Sequence, residues 1–409
     1  MTHRPLTLAL GCLFAVACRG ESSRGTSPGD ATLAGMVDSL RPAVERAVGR
    51  PFREPPRSAM RSRAAVRDYL VRKLREELPP ARLAGIESAY RLFGLFPDTL
   101  GLESLLVELY TEQVAGYYDP DSAMLFGVEG TDPLQLKLVL AHEMVHALQG
   151  QYLPLDSILR DLRSNDRLAA AQAVLEGQAT LVSIDLMSAG DDVTRSPEFW
   201  EQYREQIGTQ QAAMPVFARA PLVLRRTLLF PYLDGAEFMR WWESTPLADS
   251  MPWGPLMPVS TEQVLHPDRY QRGDAPIELR FTTGPEPAHE DMLGELEARI
   301  FEVEMSGGSA ASEAPLGWGG DRYRVYRTPD GPALVWYAVW DGAHLADRFA
   351  QRVARPFADH ARPGYRATLD RLDLAGLPAV RLVSAPAGWS AWASLPAVAA
   401  SRQPTRDVP

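Results

Sequence analysis

Apolar residues recur along this chain mostly at helical spacing, and two stretches are apolar enough to lie against a core. Residues 136–152, LKLVLAHEMVHALQGQY, read as one half-buried helix, and residues 167–189, RLAAAQAVLEGQATLVSIDLMSA, as a second rich in Ala and Leu. Residues 32–118 read as mostly helical, broken at Pro51, Pro55, Pro79 and Pro97, with a turn at 116–120. Residues 124–128, MLFGV, form a short strand just before the first apolar helix. Helical patterns near 197–208 and 235–243 complete an α-rich unit that ends around Tyr270.

The pattern changes after Pro276. Residues 277–281 alternate as a strand, 292–303 are amphipathic, and 306–314 are a linker of small residues. A β pair at 323–326 and 333–340, a helix at 343–353 and strands at 367–372 and 379–383 follow. The expected fold is therefore α+β: a mostly helical domain over 32–275 and a small α+β appendage over 276–409. Trp318, Trp336, Trp340 and Trp389 are expected in the core of the appendage, not on a binding face.

The first apolar helix carries His142, Glu143 and His146 as HExxH. Histidines at i and i+4 share one helical face, so their ring nitrogens converge on a single ion, and Glu143 lies close enough to take a proton from a water beside it. With seven His in 409 residues, chance supplies about 0.01 such matches in a chain of this composition. A catalytic zinc needs a third protein ligand and an open position. Glu176 is that ligand, set among Val174, Leu175, Leu181 and Val182 on the second apolar helix, which can fold back against the first. Asp185, further along, reads as a surface residue.

HExxH with a glutamate ligand on a following helix resembles the gluzincin zinc metallopeptidases. Several blocks are similar, more narrowly, to a largely uncharacterised family of bacterial and archaeal proteins named as metallopeptidases: GYYDP at 116–120, AHEMVHALQGQY at 141–152, LEGQATL at 175–181, FPYLDGAEFM at 230–239, STEQVLHPDRY at 260–270 and GWGGDRYRVY at 317–326. The resemblance implies a zincin-like fold, one Zn2+, a peptide substrate and a strand at 124–128 that forms the cleft edge. It departs in one place. Many gluzincins carry an acid four positions after the ligand glutamate to orient a zinc histidine, where this chain has Thr180, and the narrower family often has an acid at Gln178. A hydroxyl, an amide or a backbone carbonyl must then do that work.

Peptide hydrolysis also needs a group to stabilise the oxyanion. His266, held extended before Pro267, is the first candidate, with Tyr232, Tyr270 and Tyr117 behind it. His289 and His344 sit in segments that read as helix termini and take no role.

The amino terminus sets the compartment. His3 and Arg4 precede an apolar run over 6–17 and then Cys18, which reads as a secretory signal over 1–17 with a loose lipobox. Lipidation at Cys18 implies a membrane-anchored cell-envelope protein, with a flexible tether over 18–31; ordinary signal cleavage implies a periplasmic or extracellular one. Cys12 falls inside the signal, so neither of the two cysteines is left for a disulfide when Cys18 is acylated. A net charge of −10 argues against nucleic acid, and the arginines from Arg41 to Arg75 read as a solvated face. Two functions stand open: an exported zinc peptidase, and a zinc-binding surface lipoprotein with a structural or assembly role.

Overall fold

The computed structural model describes residues 29–155, 164–188, 192–307, 317–390 and 395–402. The signal, Cys18 and most of the tether lie outside them, as does most of the linker expected at 306–314. Among the described residues no helix is long and apolar enough to cross a membrane.

The chain is α+β. Helices α1 (Asp30–Val48), α2 (Arg63–Glu77), α3 (Pro80–Phe93) and α4 (Leu102–Gln113) lead into the strands β2 (Gly116–Asp119) and β3 (Met124–Val128), with β1 (Arg57–Arg61) set between α1 and α2. Then come α5 (Pro133–Tyr152), α6 (Asn165–Met187), α7 (Pro197–Ala212), α8 (Pro215–Arg219) and α9 (Leu222–Glu243). Two short helices, α10 (Thr261–Leu265) and α11 (Pro267–Gln271), precede β4 (Glu278–Phe281), β5 (His289–Asp291) and α12 (Gly294–Met305). The chain ends in β6 (Trp318–Thr328), β7 (Gly331–Trp340), α13 (Ala343–Asp359), β8 (Tyr365–Leu374), β9 (Leu377–Pro386) and β10 (Val398–Ser401).

Two expectations at the first sheet are corrected. The strand order is β1-β3-β2, with β1 parallel and β2 antiparallel to β3, so residues 124–128 form the middle strand and not the cleft edge. Residues 116–119, read as a turn, are the strand that faces α5. Alternation explains it: Tyr117 stacks on Tyr69 at 4.4 Å on one face, while Tyr118 joins the main core on the other. The reversal comes after Pro120, where Ala123 takes the left-handed region at φ 51°.

Helix α5 starts on Asp132, whose side chain accepts from the N–H groups of Leu134 and Gln135, with Pro133 in the first turn. It packs on β2, β3, α1 and α6, so every residue from Val139 to Gln149 is buried. Helix α6 is buried without interruption from Ala173 to Ser183. It crosses α9 at a contact that only glycine permits: a Cβ on Gly177 would lie 2.3 Å from the carbonyl of Gly235, and one on Gly235 would lie 2.2 Å from the Ala173 oxygen. Helix α9 begins well before the expected 235 because it runs through Pro231, which brings Tyr232 onto its inner face.

The region after 276 does not hang off the rest as an appendage. Its five-stranded sheet, β5-β6-β7-β9-β8, packs against helices of the first region, and Phe93 of α3 meets Phe301 and Tyr323 at 5.6 Å and Trp336 at 5.8 Å. One apolar cluster runs from Leu33 to Leu382. Trp318, Trp336 and Trp340 are buried in it, and Trp389 is half-buried against a second, smaller cluster. His289 lies in β5, not at a helix end, whereas His344 does sit at the start of α13.

The seam between the two regions is rich in buried carboxyls. Glu297 accepts from the Tyr90 hydroxyl at 2.7 Å and from Asn165 Nδ2 at 2.8 Å. Asp321 accepts from both Trp318 and Trp336 indoles and from the N–H groups of Leu293 and Gly294. Burial pushes Glu297 up to about 8, resisted by the Tyr90 hydroxyl and reinforced by Asp291, Asp321 and Asp166. A carboxyl whose folded pKa is raised binds its proton more tightly in the folded state. Its favourable contribution is complete below the unfolded value near 4.5 and is lost as pH rises through about 8. Urea unfolding at pH 5 and pH 9 should therefore show lower stability at pH 9, with a smaller difference in Glu297→Gln; equal pH dependence in the two proteins would contradict the assignment.

Candidate metal centre

Helices α5 and α6 bring three ligand atoms to one point. His142 Nε2 lies 3.0 Å from Glu176 Oε2, His146 Nε2 lies 3.2 Å from the same oxygen, and the two ring nitrogens are 3.1 Å apart. These separations are close to the roughly 3.3 Å that donor atoms keep around a small tetrahedral ion. All three side chains are buried, and among the described residues this is the group of three His, Cys, Asp or Glu that could hold a metal ion. Three lone-pair-bearing atoms facing one another in a core repel unless a proton or a cation sits among them, so the donor set fits a cation.

The electrostatics agree. Burial works against a charge on His146, but Glu176 outweighs it and holds the ring up at about 9. Burial alone would raise Glu176; His146 and His142 instead hold it down at about 2. His142 is kept low, chiefly by burial, and so is neutral and ready to donate a lone pair.

Glu143 sits beside the set with its Oε2 accepting from the Tyr118 N–H at 2.8 Å. Ala115 O accepts from Val128 N, so antiparallel alternation turns the backbone groups of Gly116 and Tyr118 away from β3. The outer edge of β2 is thus what holds the base. Glu143 Oε1 is buried with no hydrogen-bond partner. Burial, helped by Glu176 and resisted by His146 and the Tyr118 N–H, lifts this carboxyl to about 8.

Sequence reasoning missed the support behind His146. Its Nδ1 lies 2.9 Å from Gln149 Oε1, while Gln149 Nε2 donates to the Leu175 carbonyl at 3.0 Å and to Gln178 Oε1 at 2.9 Å. The amide pair Gln149 and Gln178 does this work, an amide being one of the three groups the sequence left open. The signal was there in the spacing: Gln149 follows His146 by three, on the same helical face. Thr180 does not take the role, since its hydroxyl is buried without a partner, and so is His142 Nδ1.

The four candidates for the oxyanion separate clearly. His266 is not brought to the set: its Nε2 pairs with Glu295 Oε1 at 2.9 Å and meets Arg299 at 3.4 Å. Its cluster is tied through Thr261 to Asp166, ten residues and about 15 Å along α6 from Glu176. The His266–Pro267 step serves instead to pass from α10 to α11. Tyr270 donates to the Leu256 carbonyl, and Tyr117 faces the opposite side of the sheet. Tyr232 is the candidate that meets the set, its ring stacked beside His142 at 6.1 Å. Asp185 accepts from Thr194 and is half-buried near the carboxyl end of α6.

Replacing Gln149 by Leu removes the hydrogen bond that orients His146. Competition against a chromophoric chelator should show metal affinity weakened about 10- to 100-fold in a folded variant; an unchanged affinity would remove Gln149 from the site.

Residues 280–376 match a family described as a domain of unknown function (DUF8575), a stretch that runs from β4 to the turn before β9 and includes none of the metal-site residues. No curated protein and no solved structure matches the chain.

Proposed function

We propose that the chain is an exported zinc-dependent peptidase. The observation that carries this reading is the convergence of His142 Nε2, His146 Nε2 and Glu176 Oε2 with a separate buried carboxylate, Glu143, on the adjacent turn of the same helix. The likeness of the HExxH and later blocks to gluzincin-type metallopeptidases supports it. Two imidazoles and one carboxylate suit zinc and leave a coordination position open. A zinc ion held there supplies Lewis acidity, which acidifies water and polarises a peptide carbonyl.

The protein's own groups do the rest. Glu143 takes the proton of the attacking water on Oε1, the oxygen without a partner, while the Tyr118 N–H fixes Oε2. Glu143, held up at about 8 by burial, would be drawn toward its ionised form by a cation in the neighbouring set, and the same carboxyl then returns the proton to the leaving amine. The outer edge of β2 takes the role first assigned to 124–128, pairing with an extended peptide. Tyr232 replaces His266 as donor to the oxyanion.

Glu143→Gln keeps shape and ligands but removes the base. The variant should bind zinc one to one like the parent and cleave a mixed peptide library at least about 100-fold more slowly. Full hydrolytic rate in Glu143→Gln would remove Glu143 as the base, and the absence of cleavage by the zinc-loaded parent would leave a metal-binding protein with a structural role.

A further inference from the structure

A cavity of about 710 Å³ lies where the end of α4, the start of α5 and α7 meet. Its floor is the end of α4 and the approach to β2, with Gln113, Val114, Ala115 and Thr131 all buried. Its far wall is one face of α7, where Gln202, Gln206, Thr209 and Gln210 follow one another at helical spacing. The opposite face of α7 packs inward through Trp200, Tyr203 and Ile207, so the amides are the side that α7 turns to the cavity.

Two observations point to a ligand. Gln113 is 4 % exposed and neither its Oε1 nor its Nε2 has a hydrogen-bond partner; Thr131 Oγ1, 6 % exposed, has none either. A buried amide left unpaired on both atoms is costly to the fold, and a partner with one donor and one acceptor relieves it. Of the charged residues at this cavity, Arg63 and Glu205 are exposed to solvent, and Glu112 is already engaged by the Val216 and Phe217 N–H groups at 2.9 Å. The chemistry selects an uncharged amide over a cation, an anion or an alkyl group.

The distance to the metal centre says where that amide belongs. Gln135, at the cavity, precedes His142 by seven residues on the same face of α5, a rise of about 10 Å. Ala115 precedes Tyr118, which holds Glu143, by three residues of extended chain, again about 10 Å. Both routes span about three residues of an extended peptide. Resting on the peptidase reading, we propose that this cavity is a specificity subsite that takes a Gln or Asn side chain three residues from the scissile bond, on one side of it only.

The test uses the full chain, zinc-loaded, as the Glu143→Gln variant so that bound peptide survives. Fluorescent alanine-based peptides carrying a single Gln, Asn, Leu, Lys or Glu are titrated by anisotropy. The Gln and Asn peptides should bind about tenfold tighter than the others, the worth of about one net hydrogen bond. Adding Gln113→Leu should erase the difference without lowering the thermal midpoint, because the fold makes no use of that amide. Equal binding of all five peptides, a preference that survives Gln113→Leu, or a fall in midpoint would each overturn the assignment. Cleavage of a library by the parent separates the two readings: cuts with no Gln or Asn enrichment three residues away overturn the subsite alone, whereas no cuts overturn the peptidase and leave the binding result to stand or fall separately.

Discussion

Two helices that are buried almost all round, α5 and α6, carry four ionisable side chains into the hydrophobic core. His142, Glu143, His146 and Glu176 are at most 7 % exposed. Charges so placed are tolerated only when they compensate one another, and unpaired lone pairs at that depth cost several kcal/mol. Gly177, next to Glu176, meets Gly235 of α9 with no side chain between them, so α6 and α9 cross at close range. That same crossing brings α9 alongside, with Tyr232 over His142. Close packing and ligand convergence are thus one constraint seen at two scales, and a cation in the set would stabilise both.

Support around the set is uneven, and the unevenness is informative. His146 is held from behind by an amide relay, Gln149 to Gln178, where a carboxylate would donate more electron density. Neutral amides fix ring orientation while leaving the site less negative. His142 has no such partner on Nδ1 and is positioned by the helix and by the Tyr232 ring. Glu143, in turn, depends on a strand: the Tyr118 N–H is available to it because alternation points that group away from β3.

Much of this was legible in the sequence. The HExxH spacing on an apolar helix and a lone glutamate among small and apolar residues were enough to name the three side chains that converge, because helical geometry is local and burial excludes unpaired charge. The α+β character and most later elements followed from periodicity. What failed was non-local. Strand β1, RSAMR, is short and polar and exists because it pairs with β3; β2 reads as a turn in the sequence because GYYDP holds glycine and proline. His266 carried the right chemistry, but its commitment to Glu295, 29 positions on, is a tertiary fact. The expected boundary at 276 fell where composition shifts, although Phe93 and its aromatic partners knit the two regions into one core.

The central claim is a cation held by two imidazoles and one carboxylate, with a position left for water. X-ray absorption at the zinc edge of the zinc-loaded protein tests it most directly. The expected spectrum has four light N/O neighbours near 2.0–2.1 Å with outer-shell scattering from two imidazole rings. Scattering from one imidazole or none, or a sulfur shell near 2.3 Å, would contradict it.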